Sequence, residues 1–363
     1  MKQILCLANE PWSSSPSRTQ QLISRLKEAQ ILYFYPASGP HDRAYRQPGQ
    51  KVRPNITTYA LPPILFQVSE NHKLIFQGGQ KKLARYIAAK AARQRFRSPM
   101  LWTTSPEHVH MLNQLEYDGL VYDCDREWDD LPLDWEGSLA YAADVVFAAS
   151  PLLRHRLTPC SSNIALVPNG VNYPLFANRD PVLQYDPLPH IHGPVFGWAG
   201  TIDEDLDLSP LCYTATAHPD WTFVLLGEVY PNHMIPKLER LPNVLFPGPC
   251  PMSEVPDWLY RCHVLMEFRQ EDRLDDGVVS SRVYEYLSTG KPVVAMLWPD
   301  QVESFPDVIY GAHSEREFAT LCQHALDEPA GFVSQRRKDH GAAAAWPIRA
   351  GEVARILKIA GLL

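Results

Sequence analysis

The sequence has no segment typical of a membrane-spanning, exported or disulfide-linked protein. No stretch approaches the roughly 20 apolar residues that a spanning helix needs. The seven cysteines are odd in number and scattered, without a C-x-x-C pair, which favours reduced buried thiols over disulfides or zinc sites. The apolar stretch at residues 4–8 is too short for a signal peptide, and we interpret it as a strand. We therefore expect a cytoplasmic protein.

Acidic residues are scarce at the beginning of the chain. Residues 1–100 contain 16 Lys and Arg but only 4 Asp and Glu. Residues 1–170 carry a net charge of +4 and the remainder −11, within a total of −7. The basic first part predicts an anionic partner, either a membrane surface or a phosphorylated acceptor. Nucleic acid is the alternative, but no recognition motif supports it, so we expect no nucleic-acid partner.

Length and hydrophobic patterning predict an α/β protein of two domains. The 363 residues exceed one ordinary core, and 45% apolar with 21% charged residues is typical of globular proteins. Short apolar runs alternate with helix-length segments, which indicates parallel sheets covered by helices. The predicted strands are 4–8, 31–35, 100–103, 119–123, 145–149 and 164–167, then 195–198, 222–226, 244–246, 263–267 and 292–295. The helix-length segments in the first half are 17–29, 81–97 and 107–117.

The proline-rich segment 173–194 lies between the two series of strands and is interpreted as the linker. We predict one Rossmann-like domain over 1–172 and a second Rossmann-like domain over 173–345. A C-terminal helix over 346–363 is expected to pack back towards the first domain. Two doubly wound domains in tandem place their ligand-binding sheet edges on either side of a cleft.

Residues 280–295, SSRVYEYLSTGKPVVA, contain a helix, a glycine stop and an apolar strand. Gly290 suits the left-handed position after a helix, and Pro292 prevents the helix from continuing. Arg282 and Glu285 are three residues apart and share one helix face. A guanidinium can bind a diphosphate, and a carboxylate can accept the hydroxyls of a ribose. A plain surface ion pair remains equally open from the spacing.

This segment resembles the signature of the glycosyltransferases group 1 family, in which a basic residue precedes "xxEYLAxGKPVV". Arg282, Glu285, Gly290 and Pro292 match that signature. Three further stretches resemble the family in order and spacing, namely VPNGVN at 167–172, FGWAG at 196–200, and HPDWTFVLLG at 218–227 with LPNVLFPG at 241–248. The resemblance covers residues 119–350, whereas the first 100 residues match loosely.

The resemblance implies a GT-B fold and transfer of a hexosyl group from a nucleoside-diphosphate sugar, with a UDP-sugar favoured. It also implies that the domain over 1–172 binds the acceptor and the domain over 173–345 binds the donor. The acceptor is expected to be a glycan or a lipid-linked acceptor in polysaccharide or cell-envelope synthesis. The donor-binding candidates are Gly197, Gly200, Thr201, Gly227, Gly248, Ser281, Arg282, Tyr284 and Glu285. The acceptor-side candidates are Trp12, Ser13, Arg18 and Asn169.

In this family the glutamate that Glu285 matches binds the ribose of the donor. Many members carry a second glutamate eight positions before it, and this sequence departs from the family there. Gly277 occupies that place here. The departure removes a contact to the transferred sugar and leaves the stereochemistry, retaining or inverting, open. The neighbouring Asp275 and Asp276 are the candidate substitutes.

Asp123 and Asp125 form an Asp-x-Asp pair directly after a predicted strand. A metal site is one interpretation, but the tandem architecture disfavours it, so we expect metal-independent chemistry without a cofactor. At a strand end a carboxylate can take the proton of an acceptor hydroxyl. Asp125 is the first candidate base and Asp123 the second, with Arg282 stabilising the leaving diphosphate; capping of the next helix is the alternative role for the aspartates. In a retaining reaction the departing phosphate itself would receive the proton.

Residues 81–97 carry seven cations and no acid in a helix-favouring context. Lys81, Arg85, Lys90 and Arg93 are candidates for docking on an anionic membrane, with a solvated basic face as the alternative. The protein would then lie peripherally on the inner face of the cell membrane. Two other functions stay open: a nucleotide-sugar epimerase of the same fold, and a catalytically silent GT-B subunit, which Gly277 keeps in consideration.

Overall fold

The computed structural model describes residues 1–13, 15–64, 73–177, 186–268, 277–296, 305–329 and 331–363. These residues form two compact units. The first unit contains residues 1–168 and 347–363, and the second contains residues 169–346. Each unit is built around one sheet.

The sheet of the first unit has eight strands among the described residues, in the order β3-β4-β2-β1-β5-β6-β7-β8. Neighbouring strands are parallel except for β3, which pairs antiparallel with β4. The strands are Lys2–Leu7 (β1), Ala29–Tyr35 (β2), Gln50–Arg53 (β3), Ile56–Ala60 (β4), Met100–Thr103 (β5), Gly119–Cys124 (β6), Val145–Ala148 (β7) and Ile164–Leu166 (β8). The helices before the second unit are Arg18–Ile23 (α1), Lys73–Arg93 (α2), Leu133–Ala142 (α3) and Pro151–Leu157 (α4).

The central strands of this sheet are the apolar runs of the sequence. Strands β5, β6 and β7 are buried along their whole length, as expected for a parallel sheet covered on both faces. Strands β3 and β4 were not predicted because their residues, QKVR and ITTYA, include polar side chains that break the apolar run.

The three predicted helical segments of the first unit differ in the structure. Segment 17–29 is an α-helix only over Arg18–Ile23. Segment 107–117 is a 3-10 helix over Pro106–Gln114. The basic helix begins earlier, at Lys73, and ends at Arg93 rather than at 97. Arg95 adopts a φ of 59°, a left-handed conformation that ends the helix.

The second unit has a parallel sheet of six described strands in the order β11-β10-β9-β12-β13-β14. The strands are Val195–Ala199 (β9), Thr222–Leu226 (β10), Val244–Gly248 (β11), Val264–Glu267 (β12), Val293–Met296 (β13) and Tyr310–Ala312 (β14). The helices are Tyr173–Ala177 (α5), Ser209–Ala217 (α6), Ile235–Leu238 (α7), Val255–Arg261 (α8), Ser281–Thr289 (α9), Glu315–Leu326 (α10) and Phe332–Ala343 (α11). The sequence predicted these strands except β14, which has only three residues.

Helix α9 ends as the sequence predicts. Gly290 caps it in the left-handed conformation, with a φ of 77°, and its N–H donates to the Leu287 carbonyl. A Cβ at Gly290 would collide with Ser334 of α11, so close packing of the two helices also requires glycine there.

The last helix, Trp346–Ile359 (α12), leads into residues grouped with the first unit. Leu362 is buried and packs against Gly119 at the start of β6, where a Cβ would collide with it. None of the helices formed by the described residues combines the length and apolar character that crossing a bilayer requires.

Candidate active site

Three glycines follow one another across the carboxyl edge of the second sheet. Gly200 comes directly after β9, Gly227 directly after β10, and Gly248 ends β11. The Gly227 N–H donates to the Gly248 carbonyl at 3.1 Å, and a Cβ at Gly227 would fall on the carbonyl oxygen of Gly200. The backbone of Gly227 can pack this closely against Gly200 only without a side chain. The edge of the sheet therefore presents backbone to an incoming ligand.

Gly197 and Thr201, the other two candidates from this segment, are placed differently. Gly197 lies inside the strand, and a Cβ there would collide with the Cys262 thiol. Packing therefore accounts for Gly197, and the turn begins at Gly200 rather than at Gly197. Thr201 is exposed directly after Gly200. Its donor contact stays a prediction.

The Arg282 side chain extends from the first turn of α9 to this glycine edge. Its guanidinium lies 4.3 Å above the Trp198 ring. A Cβ on Gly200 would come within 2.8 Å of Arg282 Nη2, so the glycine makes room for the cation. The cation–π contact with Trp198 and the absence of a side chain at Gly200 together determine where the positive charge lies.

Glu267 holds the guanidinium, and the sequence analysis did not identify it. Nη1 of Arg282 donates to both carboxylate oxygens, at 3.1 and 3.3 Å. Glu267 ends β12 and is buried. Burial opposes the charge of Arg282, but the carboxylates of Glu267 and Glu285 outweigh it and raise the pKa of Arg282 above its ordinary value. The sequence feature that could have identified Glu267 is its position as a charged residue at the end of the apolar run 263–267.

Glu285 lies one turn further along α9 and is partly buried. Burial raises its pKa to about 7, with Arg282 lowering it and Glu267 raising it further. The helix is fixed to the end of β9 by Tyr286, whose hydroxyl accepts a hydrogen bond from the Ala199 N–H at 2.9 Å. Arg282 and Glu285 therefore stand on a helix anchored beside the glycine edge. The hydrogen-bonded ion pair of Arg282 is with Glu267, so the simple surface pair with Glu285 does not describe this site.

We expect Glu285→Gln to stabilise the protein at alkaline pH. A carboxyl pKa raised from 4.5 to about 7 gives stability that is present below about pH 4.5 and is lost as the pH rises through 7. Glutamine stays neutral throughout. Allowing for partial exposure, the variant should gain roughly 1–2 kcal/mol over wild type at pH 8 and about nothing at pH 4.5.

Urea unfolding at the two pH values measures this difference, with Glu239→Gln on the exposed surface of the same unit as the control. An equal gain at both pH values, or a loss at pH 8, would contradict a buried ionised Glu285.

The remaining candidates near α9 are Ser281, Tyr284 and the segment around Gly277. Ser281 opens the helix, and the hydroxyl of the preceding Ser280 is buried without a hydrogen-bond partner among the described residues. Tyr284 packs in the apolar core against the Phe305 ring, and its donor contact stays a prediction. Gly277 has a φ of 61°, which favours glycine. Asp275 and Asp276 lie outside the described residues.

In the first unit, Arg18 and Asp123 form a buried ion pair. Nε and Nη2 of Arg18 donate to Oδ1 of Asp123 at 3.0 and 2.9 Å. Asp123 is fully buried in β6. Burial raises the pKa of Asp123, while Arg18 acts to lower it. A buried carboxylate in such a pair is suited to hold its neighbours in place.

Asp125 follows β6 directly and is partly buried. Burial, followed by the charge of Asp123, raises its pKa to about 7, while Arg18 and Arg126 lower it. Its Oδ1 is buried and has no hydrogen-bond partner among the described residues. Helix α3 begins at Leu133 after Pro132, so the aspartates do not cap it. The role of Asp125 as a general base stays a prediction.

The four acceptor-side candidates make separate contacts, and their role towards an acceptor stays a prediction. Trp12 packs edge-on against the Tyr33 ring at 5.4 Å, and the exposed Ser13 accepts a hydrogen bond from the Ser15 N–H. Arg18 pairs with Asp123. Asn169 belongs to the second unit, where its amide donates to the Val279 carbonyl at 3.0 Å, just before α9. In the part of the chain that the structure describes, no group of three or more His, Cys, Asp or Glu residues could hold a metal ion.

Residues 209–345 match the model of a family described as glycosyl transferase-like. Over 255 residues the chain is 27% identical to the Bacillus subtilis (strain 168) protein TuaH, which is named for a glycosyltransferase role in teichuronic acid biosynthesis. That alignment covers 63% of this chain and 64% of TuaH, so the match spans somewhat less than two thirds of the relative.

Two solved structures share the fold at low sequence identity. The sucrose-phosphate synthase of Thermosynechococcus elongatus has a TM-score of 0.79 at 16% identity, with 99% of each chain covered. Anabaena HepE, solved in complex with UDP and glucose, has a TM-score of 0.71 at 14% identity, with 99% of this chain and 100% of HepE covered.

Proposed function

We propose that this chain, which has the GT-B fold and carries a glycosyl transferase-like domain, transfers a hexosyl group from a nucleoside-diphosphate sugar to an acceptor. The donor is a UDP-sugar, and the acceptor is a glycan or a lipid-linked acceptor in polysaccharide or cell-envelope synthesis. The observation that carries the proposal is the charged guanidinium of Arg282, held beside the glycine edge of the second sheet. The name of TuaH and the UDP and glucose bound by HepE support this choice of donor and process.

On the donor side, each residue has a separate task. Gly200 and Gly227 let the diphosphate approach the backbone. Arg282 stabilises the negative charge that grows on the leaving diphosphate, an effect that requires a charge fixed in advance. Glu267 holds the Arg282 guanidinium in place, and Glu285 accepts hydrogen bonds from the hydroxyls of the ribose.

On the acceptor side, Asp125 takes the proton from the acceptor hydroxyl as the hydroxyl attacks the sugar. A base with a pKa near 7 is unprotonated often enough at neutral pH and still basic enough to act. The Arg18–Asp123 pair fixes the strand end from which Asp125 projects. This assignment describes an inverting reaction. In a retaining reaction the departing phosphate would receive the proton.

The reaction needs no metal ion or cofactor in this proposal, because Arg282 supplies the positive charge at the diphosphate. We expect release of nucleoside diphosphate from a donor panel of UDP-, GDP- and dTDP-sugars to depend on an acceptor and to continue in EDTA. Loss of turnover in EDTA with restoration by Mg²⁺ or Mn²⁺ would contradict the metal-independent mechanism. Conversion of the donor without acceptor would indicate an epimerase, and binding without turnover across matched acceptors would indicate a silent subunit.

The basic face of α2 is proposed to dock on an anionic membrane, at the inner face of the cell membrane. Lys81, Arg85 and Arg93 are exposed on this helix. Lys90 differs, because its ammonium lies about 5 Å above the rings of Tyr59 and Tyr86. Each exposed cation near an anionic leaflet contributes about 1 kcal/mol.

We expect co-sedimentation with vesicles containing anionic lipid, with binding lost at high salt and without anionic lipid. Replacing Lys81, Arg85 and Arg93 by Gln should reduce binding at least tenfold, whereas Lys90→Gln should have a small effect. The control replaces the exposed Lys237, Arg240 and Arg316 of the second unit by Gln. Binding that ignores lipid charge, or falls equally in the control, would contradict this surface.

A further inference from the structure

The first unit contains a cavity of about 810 Å³ that the sequence analysis did not foresee. Its walls come from the segments that follow β1, β2, β4, β5 and β6, and from the buried side of α2. The carboxyl edge of a doubly wound sheet is where such domains bind ligands. The cavity is large enough for one or two sugar residues.

Part of the cavity lining is apolar. It includes Leu61, Pro62 and Pro63, which follow β4, and the buried Phe76 and Leu83 of α2. Apolar surfaces of this kind suit the C–H faces of a pyranose ring. They do not select for the charge of a ligand.

The other wall carries the charged groups. Glu107 and Asp130 are carboxylates, and Arg126 is the cation, with its guanidinium 4.1 Å above the Trp128 ring. Burial, followed by the charge of Asp130, raises the pKa of Glu107. Two carboxylates therefore influence each other across this wall.

His108 also lines the cavity but carries no charge there. It is buried, and its Nδ1 is 2.5 Å from the Thr103 hydroxyl. Burial lowers its pKa to about 3, so the ring is neutral at physiological pH. Among the described lining residues, two carboxylates thus face one guanidinium.

We propose that this cavity binds the terminal sugar of the acceptor and selects a neutral sugar over an anionic one. The proposal rests on the proposed glycosyltransferase function and specifies the acceptor class. Glu107 and Asp130 accept hydrogen bonds from sugar hydroxyls, which are good donors to carboxylates. A uronate or phosphate on the sugar would meet two like charges against one opposite charge, and this repulsion disfavours it.

The test measures binding of methyl glycosides without donor, by saturation-transfer NMR at pH 7.5 and low salt. The probes are matched pairs, methyl glucoside with methyl glucuronide and methyl galactoside with methyl galacturonide. We expect the neutral member of at least one pair to bind about tenfold tighter than its uronide. Glu107→Gln combined with Asp130→Asn should remove or reverse that preference.

Gly39→Phe tests whether binding occurs in this cavity. A Cβ at Gly39 meets open space, so the aromatic ring can enter the cavity without displacing backbone. We expect it to abolish glycoside binding, whereas Gly351→Phe on exposed α12, also open at its Cβ, should leave binding unchanged.

The proposal is overturned if the uronides bind as tightly as the neutral sugars, if none of the glycosides binds, or if Gly39→Phe leaves binding intact. Donor turnover is measured separately with the same variants. Selective glycoside binding without turnover would contradict the glycosyltransferase function, whereas turnover without selective binding would contradict the acceptor site alone.

Discussion

Replacing Arg282 is expected to lower kcat/KM by about 10²–10³-fold, the loss typical of removing one group that stabilises transition-state charge. Arg282→Ala removes the cation and also the ion pair that it forms with the buried Glu267 carboxylate, which costs stability. The variant is therefore paired with Arg282→Ala in a Glu267→Gln background, in which a neutral amide replaces the buried carboxylate. Both should fail to show a thermal shift with the UDP-sugar that stabilises wild type.

Arg282→Lys separates charge from geometry. Lysine keeps the ion pair with Glu267 but lacks the planar guanidinium that lies over Trp198. We expect near-wild-type unfolding with kcat/KM reduced at least tenfold. Arg316→Ala, on the exposed surface of α10, is the matched control and should change kcat/KM less than twofold. Normal kcat/KM in Arg282→Lys and in the Glu267→Gln, Arg282→Ala double variant would refute the site.

Asp125→Asn is expected to lower kcat by 10²–10⁴-fold while leaving donor binding intact. Asparagine keeps the shape of the side chain but cannot take a proton. In wild type, kcat/KM should fall as the pH drops through about 7, because Asp125 becomes protonated there. That acidic limb should be absent from the residual activity of the variant.

The matched control for Asp125 is Asp129→Asn, an exposed aspartate four residues further on. It should retain both the rate and the acidic limb. If Asp125→Asn keeps wild-type kcat and the same pH profile, the base assignment is wrong. Product stereochemistry with retention would then assign proton transfer to the departing phosphate.

The sequence predicts most of the second unit because its signals are local. The apolar runs define the strands, Gly290 ends α9, and the resemblance over 280–295 agrees with the family match over 209–345. The GT-B fold predicted from that resemblance is confirmed by the structural relatives.

The parts of the site that the sequence did not predict depend on contacts between distant segments. Glu267 reaches Arg282, fifteen residues later in the chain, because β12 pairs with β9 in the folded sheet. This contact is not visible in the sequence. The cavity of the first unit is lined by the segments that follow five strands, so no single segment of the sequence predicts it. Gly197 matches a motif, but glycine is required there because a Cβ would collide with the Cys262 thiol.

The grouping of residues 347–363 with residues 1–168 has a consequence for how the chain folds during synthesis. A ribosome adds roughly 5–20 residues per second and releases domains in order, so an N-terminal domain ordinarily folds first. Here the contact of Leu362 with Gly119 can form only after all of the second unit has been translated. The first unit therefore stays without its last segment, and the start of β6 without its contact to Leu362, while the second unit is made.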